Sequence, residues 1–212
     1  MSRLHLALLL AVLLCACGSK PGATSLGQPP VILISIDTLR ADRLPAYGYS
    51  KIETPALERL RRDGLLFENA YSHVPLTLPS HASLFTGLLP PEHGLRDNLG
   101  YRLDGGKHPT LASLLKQRGY ATGGGVSAWV LRKDTGIAHG FDFWEDSVET
   151  PVEVDAAGNV QRPGGTTLDL VLPWLDRVQA KPFFLFFHIY EPHSPFDPPE
   201  PFKSRYADPY DG

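Results

Sequence analysis

Two short apolar runs constrain this chain more than any other feature. Residues 31–36, Val-Ile-Leu-Ile-Ser-Ile, form a nearly continuous β-branched stretch. Residues 183–187, Phe-Phe-Leu-Phe-Phe, form a second, within a longer segment from Pro182 to Tyr190. Neither alternates apolar and polar residues, so both read as strands buried on two faces, the habit of parallel sheets covered by helices. Each run ends in residues able to do chemistry: Asp37 after the first, and His188, Glu191 and His193 at or after the second. In open α/β sheets ligands collect at the carboxyl ends of strands, so these ends are the place to look for a site.

The rest of the chain supplies the covering helices. Thr54-Pro55-Ala56-Leu57-Glu58 opens a helix with a capping threonine and a first-turn proline, Leu57 and Leu60 share a face, and Gly64 stops it. Residues 65–71 read as a second strand, and 79–85 as a short helix ending near Gly87. Residues 110–117 form a helix closed by Gly119, and 120–127 a glycine-rich strand. Residues 167–178 are helical, with Pro173 forcing a kink or a later start. Residues 133–165 have mixed polarity and carry no clear element. Alternating strands and helices predict a layered α/β domain.

Composition excludes several classes. With 212 residues the chain suggests one domain, and 42% hydrophobic residues suffice for a core. A formal net charge of -3 leaves no basic excess for nucleic acid. Both cysteines, Cys15 and Cys17, lie at the N-terminus, so the body holds neither a disulfide framework nor a cysteine zinc site.

That N-terminus reads as a targeting segment. Arg3 precedes an apolar run over residues 4–14, too short to span a bilayer. It ends in Leu14-Cys15-Ala16-Cys17-Gly18, which resembles a bacterial lipobox with Cys17 as the lipidated residue; an ordinary signal peptide cut near Ala16 is the alternative. Residues 1–17 are thus expected to be a lipoprotein-type signal peptide, and 18–30 a small, Gly/Pro-containing tether. The expectation is export to the periplasm or outer membrane, anchored by lipid.

Three features could carry chemistry. Asp37, and the His188, Glu191 and His193 cluster, offer oxygen and nitrogen donors suited to zinc, manganese or similar ions. Asp37 could equally cap its turn, and the histidines could lie in a solvated loop. The third feature is Pro75-Leu76-Thr77-Leu78-Pro79-Ser80-His81. Pro79 presets a first helical turn and places Thr77 just before it, where free backbone N–H groups favour an anion. A hydroxyl there could attack a sulfur or phosphorus centre if a base or metal activated it. Thr77 or Ser80 could also be a plain helix cap.

Taken together, the segments resemble the N-terminal portion of the sulfatases, within the alkaline-phosphatase-like superfamily. The resemblance rests on Ile36-Asp37-Thr38-Leu39-Arg40-Ala41-Asp42-Arg43, Tyr47-Gly48-Tyr49, Thr54-Pro55-Ala56-Leu57, Phe67-Glu68-Asn69-Ala70, the stretch from Thr77 to Gly87, Pro91-Glu92-His93-Gly94, Gly119-Tyr120-Ala121-Thr122 and Glu191-Pro192-His193-Ser194-Pro195. It covers residues 31–212 in the family's order. It implies an alkaline-phosphatase-like fold, with a central, mostly parallel sheet between helices, incomplete at the C-terminus. It implies one or more divalent cations (calcium, zinc, manganese or magnesium) and a sulfate- or phosphate-ester substrate. By position, Asp37 and Thr77 match metal ligands, Thr77 the nucleophile, and His193 a histidine near the transferred group. Arg40 and His81 are candidates to add positive charge for substrate.

Departures from the pattern sharpen the expectation. Sulfatases carry Cys or Ser at the Thr77 position, oxidised to formylglycine, and an Arg where His81 stands. The Cβ methyl of threonine cannot yield the same aldehyde, which argues against formylglycine. Threonine nucleophiles occur among phosphodiesterases and phosphoethanolamine transferases of the superfamily. Thr38 stands where many sulfatases have a second aspartate, and the Lys and His usual after Gly119-Tyr120 are replaced by Gly123-Gly124-Gly125. Asp208-Pro209-Tyr210-Asp211 is not the family's second ligand pair, so the sequence reads as a fragment holding about half a metal site, inactive as it stands. The expected function is a metal-dependent ester hydrolase of the cell envelope. An envelope phosphoethanolamine-type transferase, or a non-catalytic binding lipoprotein of the same fold, remains open.

Overall fold

The computed structural model describes residues 27–148 and 160–206. The expected signal segment, Cys17, most of the expected tether and the 208–212 segment lie outside these residues. Four strands form one all-parallel sheet in the order β1-β4-β2-β3: β1 Val31–Ile36, β2 Ala121–Gly125, β3 Phe143–Glu145 and β4 Phe183–Ile189. Six α-helices accompany them among the described residues: α1 Pro55–Asp63, α2 Thr77–Thr86, α3 Pro90–His93, α4 Leu111–Gln117, α5 Gly164–Val178 and α6 Phe202–Tyr206. None is long and apolar enough to cross a membrane.

The Phe-rich run is the strand the sequence predicts. Phe183 to His188 are all buried, and alternate side chains enter two different cores. Phe184 and Phe186 join Leu78, Ala82 and Phe85 of α2 on one face. Phe183, Leu185 and Phe187 join Val171 and Trp174 of α5 on the other. The glycine-rich strand is β2, and its small residues have a packing cause. A Cβ on Gly123 would sit 2.6 Å from the Trp174 ring, and one on Gly124 only 2.4 Å from Trp144. The sheet takes its bulk from neighbouring aromatics, so β2 must be thin.

Several expectations need correction. β1 occupies residues 31–36 as predicted, but it is not buried on both faces: Ile32 and Ile34 are each 52% exposed. β1 lies at the end of the strand order with β4 as its neighbour, while α5 packs on β2, β3 and β4. Residues 65–71 form no strand; Leu65, Phe67 and Tyr71 are 88%, 70% and 82% exposed, and the segment pairs with no strand of the sheet. Apolar residues that find no strand partner stay an extended loop.

Helix starts also shifted. At α1, Thr54 holds the cap position but its hydroxyl accepts no capping hydrogen bond. At α4 the cap is made, with the Thr110 hydroxyl accepting from Ser113 N at 3.1 Å. α5 begins earlier than predicted and runs through Pro173. That proline lies on the exposed side, where the carbonyl it leaves unpaired can meet water. β3 fell in the stretch that carried no readable signal, because only Phe143, Trp144 and Glu145 form it. Nearby, buried Arg162 donates to Glu145 Oε1, Val126 O and Thr167 Oγ1, each at 3.0 Å, joining both strand ends to α5.

Candidate active site

β1 and α2 meet through a matched pair of spacings. Ser35 on β1 and Asp37 directly after it, two apart, both meet side chains of α2. Thr77 and His81, four apart on a helix, fall on one face of α2. The Thr77 hydroxyl donates to Asp37 Oδ2 at 3.1 Å. His81 Nδ1 bonds the Thr77 carbonyl at 2.7 Å, and His81 Nε2 bonds the Ser35 hydroxyl at 2.9 Å. A carbonyl can only accept, so Nδ1 carries the ring proton and the Ser35 hydroxyl donates to Nε2.

A cavity of about 480 Å³ opens over this meeting point. Asp37, Thr38, Thr77, Ser80, Asn98 and His193 contribute to its lining. Asp37, Thr77 and His193, expected at the site, are therefore together. His193 stands on the loop after β4, its ring against Tyr190 at 4.3 Å between centroids and its Nδ1 donating to Ser194 O at 2.7 Å. Glu191 has a different job from the one its position in the cluster suggested. Its carboxylate accepts the Gly164 N–H at 3.1 and 3.2 Å, tying the His193 loop to the N-terminus of α5.

Thr77 is the first residue of α2, not the residue before it. This changes what the helix end offers an anion. The Leu78 N–H donates to Asn98 Oδ1 at 2.9 Å, Pro79 has no N–H, and Ser80 N bonds Leu76 O. Among the described residues only the Thr77 N–H of the first turn has no protein partner, so the helix end contributes one donor rather than a cradle. Asn98 was missed in the sequence because it lies far from the motif it supports. Its oxygen is occupied by Leu78, which leaves its amide N–H groups as donors at the cavity.

Two substrate-binding expectations do not hold in this geometry. Arg40 is not among the cavity-lining residues; its guanidinium pairs with Asp42 in solvent, at 2.9 and 2.6 Å. The i,i+2 carboxylate is simply the nearer partner. His81 borders the cavity, but burial, with the neighbouring His188, pushes its pKa down to about 4, so it brings no positive charge at neutral pH. Both its nitrogens are already used within the protein.

The carboxylate itself is held ionised. Burial pushes the Asp37 carboxyl up, but the His188 ring and the Thr77 hydroxyl outweigh this and hold it below the usual carboxylate range. His188 is fully buried, with Nε2 3.5 Å from Asp37 Oδ2, longer than an ordinary hydrogen bond. Thr38, next in sequence, has φ +52°, a left-handed conformation that strains a β-branched residue. Such strain is found where a turn must aim a particular neighbour, here Asp37.

Asp37 and Thr77 are oxygen donors of the kind a divalent cation takes, and their ligand atoms are close enough to share one. Among the described residues no group of three or more His, Cys, Asp or Glu side chains gathers around them. The pair fits one side of a metal site and does not close it.

Comparison with known proteins agrees with this geometry. The sulfatase family model matches residues 29–211. Curated relatives include an arylsulfatase of Clostridium perfringens, 30% identical over 85% of this chain and 47% of its own length. The N-acetylglucosamine-6-O-sulfatase of Bacteroides thetaiotaomicron is 28% identical over 87% and 34%. This chain thus spans less than half the length of these relatives. A solved protein in complex with its substrate D-glucosamine-2-N,6-O-disulfate superposes with TM-score 0.66 at 25% identity, covering 81% of this chain and 36% of that one. The phosphonate monoester hydrolase of Agrobacterium radiobacter shares the fold, with TM-score 0.68 at 22% identity over 84% and 44%. An all-parallel sheet, a carboxylate at the end of its first strand and a helix-borne hydroxyl facing it have one common source: this chain belongs to the sulfatase family.

Proposed function

We propose that this chain is the nucleophile-bearing part of a hydrolase for sulfate esters, with phosphate esters as the second substrate class. The 3.1 Å bond from the Thr77 hydroxyl to Asp37 Oδ2 at the floor of the cavity carries this reading. Members of this superfamily typically use a divalent cation, and Asp37 and Thr77 are the residues here that would hold it. When bound, such an ion lowers the pKa of a ligated hydroxyl and screens charge on the transferred group.

The chain's own groups then have definite tasks. The Thr77 oxygen attacks the sulfur or phosphorus centre and gives up its proton toward Asp37. The ester bond to the alcohol breaks, and the leaving oxygen takes up, through solvent, the proton that Thr77 gave to Asp37, on the side of the cavity that His193 borders. The Thr77 N–H and the Asn98 amide donate to the non-bridging oxygens. Water afterwards cleaves the Thr77 ester and restores the hydroxyl. A threonine needs no oxidation to formylglycine for this route.

Location is part of the proposal: the 1–17 segment directs export and Cys17 carries the lipid that holds the protein at the cell envelope. Threonine in place of the family's Cys or Ser favours one further reading, transfer of a phosphorylated head group to an acceptor other than water. Intact-mass spectrometry after a short incubation with a nitrophenyl sulfate or nitrophenyl phosphate tests the scheme. A one-group adduct on Thr77, absent in Thr77→Ala, is expected. Turnover by Thr77→Ala at the wild-type rate would remove Thr77 from the chemistry.

A further inference from the structure

We infer that His81 is a positioning residue that aims Thr77, its Nδ1–H held by the Thr77 carbonyl and its Nε2 by the Ser35 hydroxyl; this rests on the reading of Thr77 as nucleophile. His81 has both nitrogens committed to opposite walls of the site. Nδ1–H grips the Thr77 carbonyl at 2.7 Å, and Nε2 accepts from the Ser35 hydroxyl at 2.9 Å. The Thr77 hydroxyl meanwhile reaches Asp37, two residues beyond Ser35 and just past the end of β1. Thr77 is therefore held at two points, its side chain by Asp37 and its backbone by His81, and both tethers end at the C-terminal end of β1.

The ring has no freedom to rearrange. It is only 6% exposed and stands edge-on to Phe186 and His188, with centroids 5.8 and 5.1 Å away. Turning it over would put Cδ2–H against the Thr77 carbonyl and Cε1–H against the Ser35 hydroxyl, and so break both hydrogen bonds. The Thr77 carbonyl selects the proton on Nδ1, because it can only accept, and the Ser35 hydroxyl adapts by donating to Nε2. His81 need not touch the substrate. It fixes where the hydroxyl of the next helical turn stands relative to the carboxylate, and a small error in that placement costs rate rather than binding.

Two independent readouts test this on the whole protein. Long-range proton–nitrogen NMR with labelled histidine reports the tautomer directly. The expected result is an Nδ1–H ring with a slowly exchanging proton, whose Nε2 signal shifts in Ser35→Ala. Kinetics with nitrophenyl sulfate and nitrophenyl phosphate separate kcat from KM. In His81→Asn the amide nitrogen replaces Nδ1, and kcat is expected to fall about tenfold. In His81→Gln the donor is displaced, and kcat is expected to fall about a hundredfold, with KM within about threefold of wild type in both. A ring with no proton on Nδ1, or His81→Gln at wild-type kcat, would overturn the inference. If the wild-type protein turned over neither ester, the proposed hydrolase would fail, and the ring tautomer would still decide the geometry.

Discussion

The two faces of the sheet are built from the same strands and do different work. On the α2 face, alternate residues of β4 read Phe184, Phe186, His188, so the apolar core gives way to polar groups toward the strand's end. Ser35 and Asp37 of β1 and His81 of α2 meet them there. On the α5 face, Phe183, Leu185 and Phe187 pack on Val171 and Trp174, and the core stays apolar along the strand. A site needs polar groups buried in a rigid wall, and only the first face supplies both. The second face holds the wall still.

If that division is right, substitutions on the two faces should separate activity from stability. The largest effect belongs to Thr77→Ala, which should lower turnover of a sulfate or phosphate ester at least about a thousandfold while leaving the thermal midpoint nearly unchanged. Core truncations come next. Phe186→Ala and Trp174→Ala should each cost roughly 3–5 kcal/mol in denaturant unfolding. Phe186 also packs against His81, so its loss should depress kcat in the surviving folded protein, whereas Trp174→Ala should leave kcat alone. Equal kcat losses in the two variants would erase the distinction between faces.

A pH experiment reaches the same contrast from another side. Burial and the neighbouring His188 hold the His81 ring at a pKa of about 4, against 6.5 for an ordinary histidine. On acidification the unfolded chain takes up a proton first, so folding stability should fall between about pH 6.5 and about pH 4. Below that both states carry the proton and this contribution to the slope vanishes. The full loss is about 3 kcal/mol. Urea midpoints across this range should show it in wild type and show a flatter profile in His81→Gln. The smallest effect is a gain: Thr38→Gly relieves a left-handed conformation and should stabilise by about 1 kcal/mol, provided Asp37 keeps its aim. A fall in kcat without a change in unfolding midpoint would show that the strained turn serves the site.

What the sequence made legible follows from range. Asp37, Thr77 and His193 stood out because each follows a strand or opens a helix whose pattern is local. The β4 run and the glycine-rich β2 were readable for the same reason. Solvent exposure of Ile32 and Ile34 was not, because a β-branched strand reads alike in the middle of a sheet and at its end. The loop at 65–71 shows the converse: a strand pattern without a partner stays a loop. Asn98, Glu191 and the Ser35–His81 bond depend on which segments the fold brings together. His81 invited assignment as a cation because residue type says nothing about burial, and burial decides its charge.

The strand order also sets a schedule. β1 pairs with β4, whose residues lie at the far end of the described chain, with two other strands threaded between them in sequence. A ribosome adding roughly 5–20 residues per second leaves residues 31–36 without this pairing for about ten seconds or more. During that interval Asp37 has no His188 beside it, and the β-branched run stands as an open edge of the kind that invites aggregation. Completion of Phe183–Ile189 joins β1 to β2 and brings His188 beside Asp37.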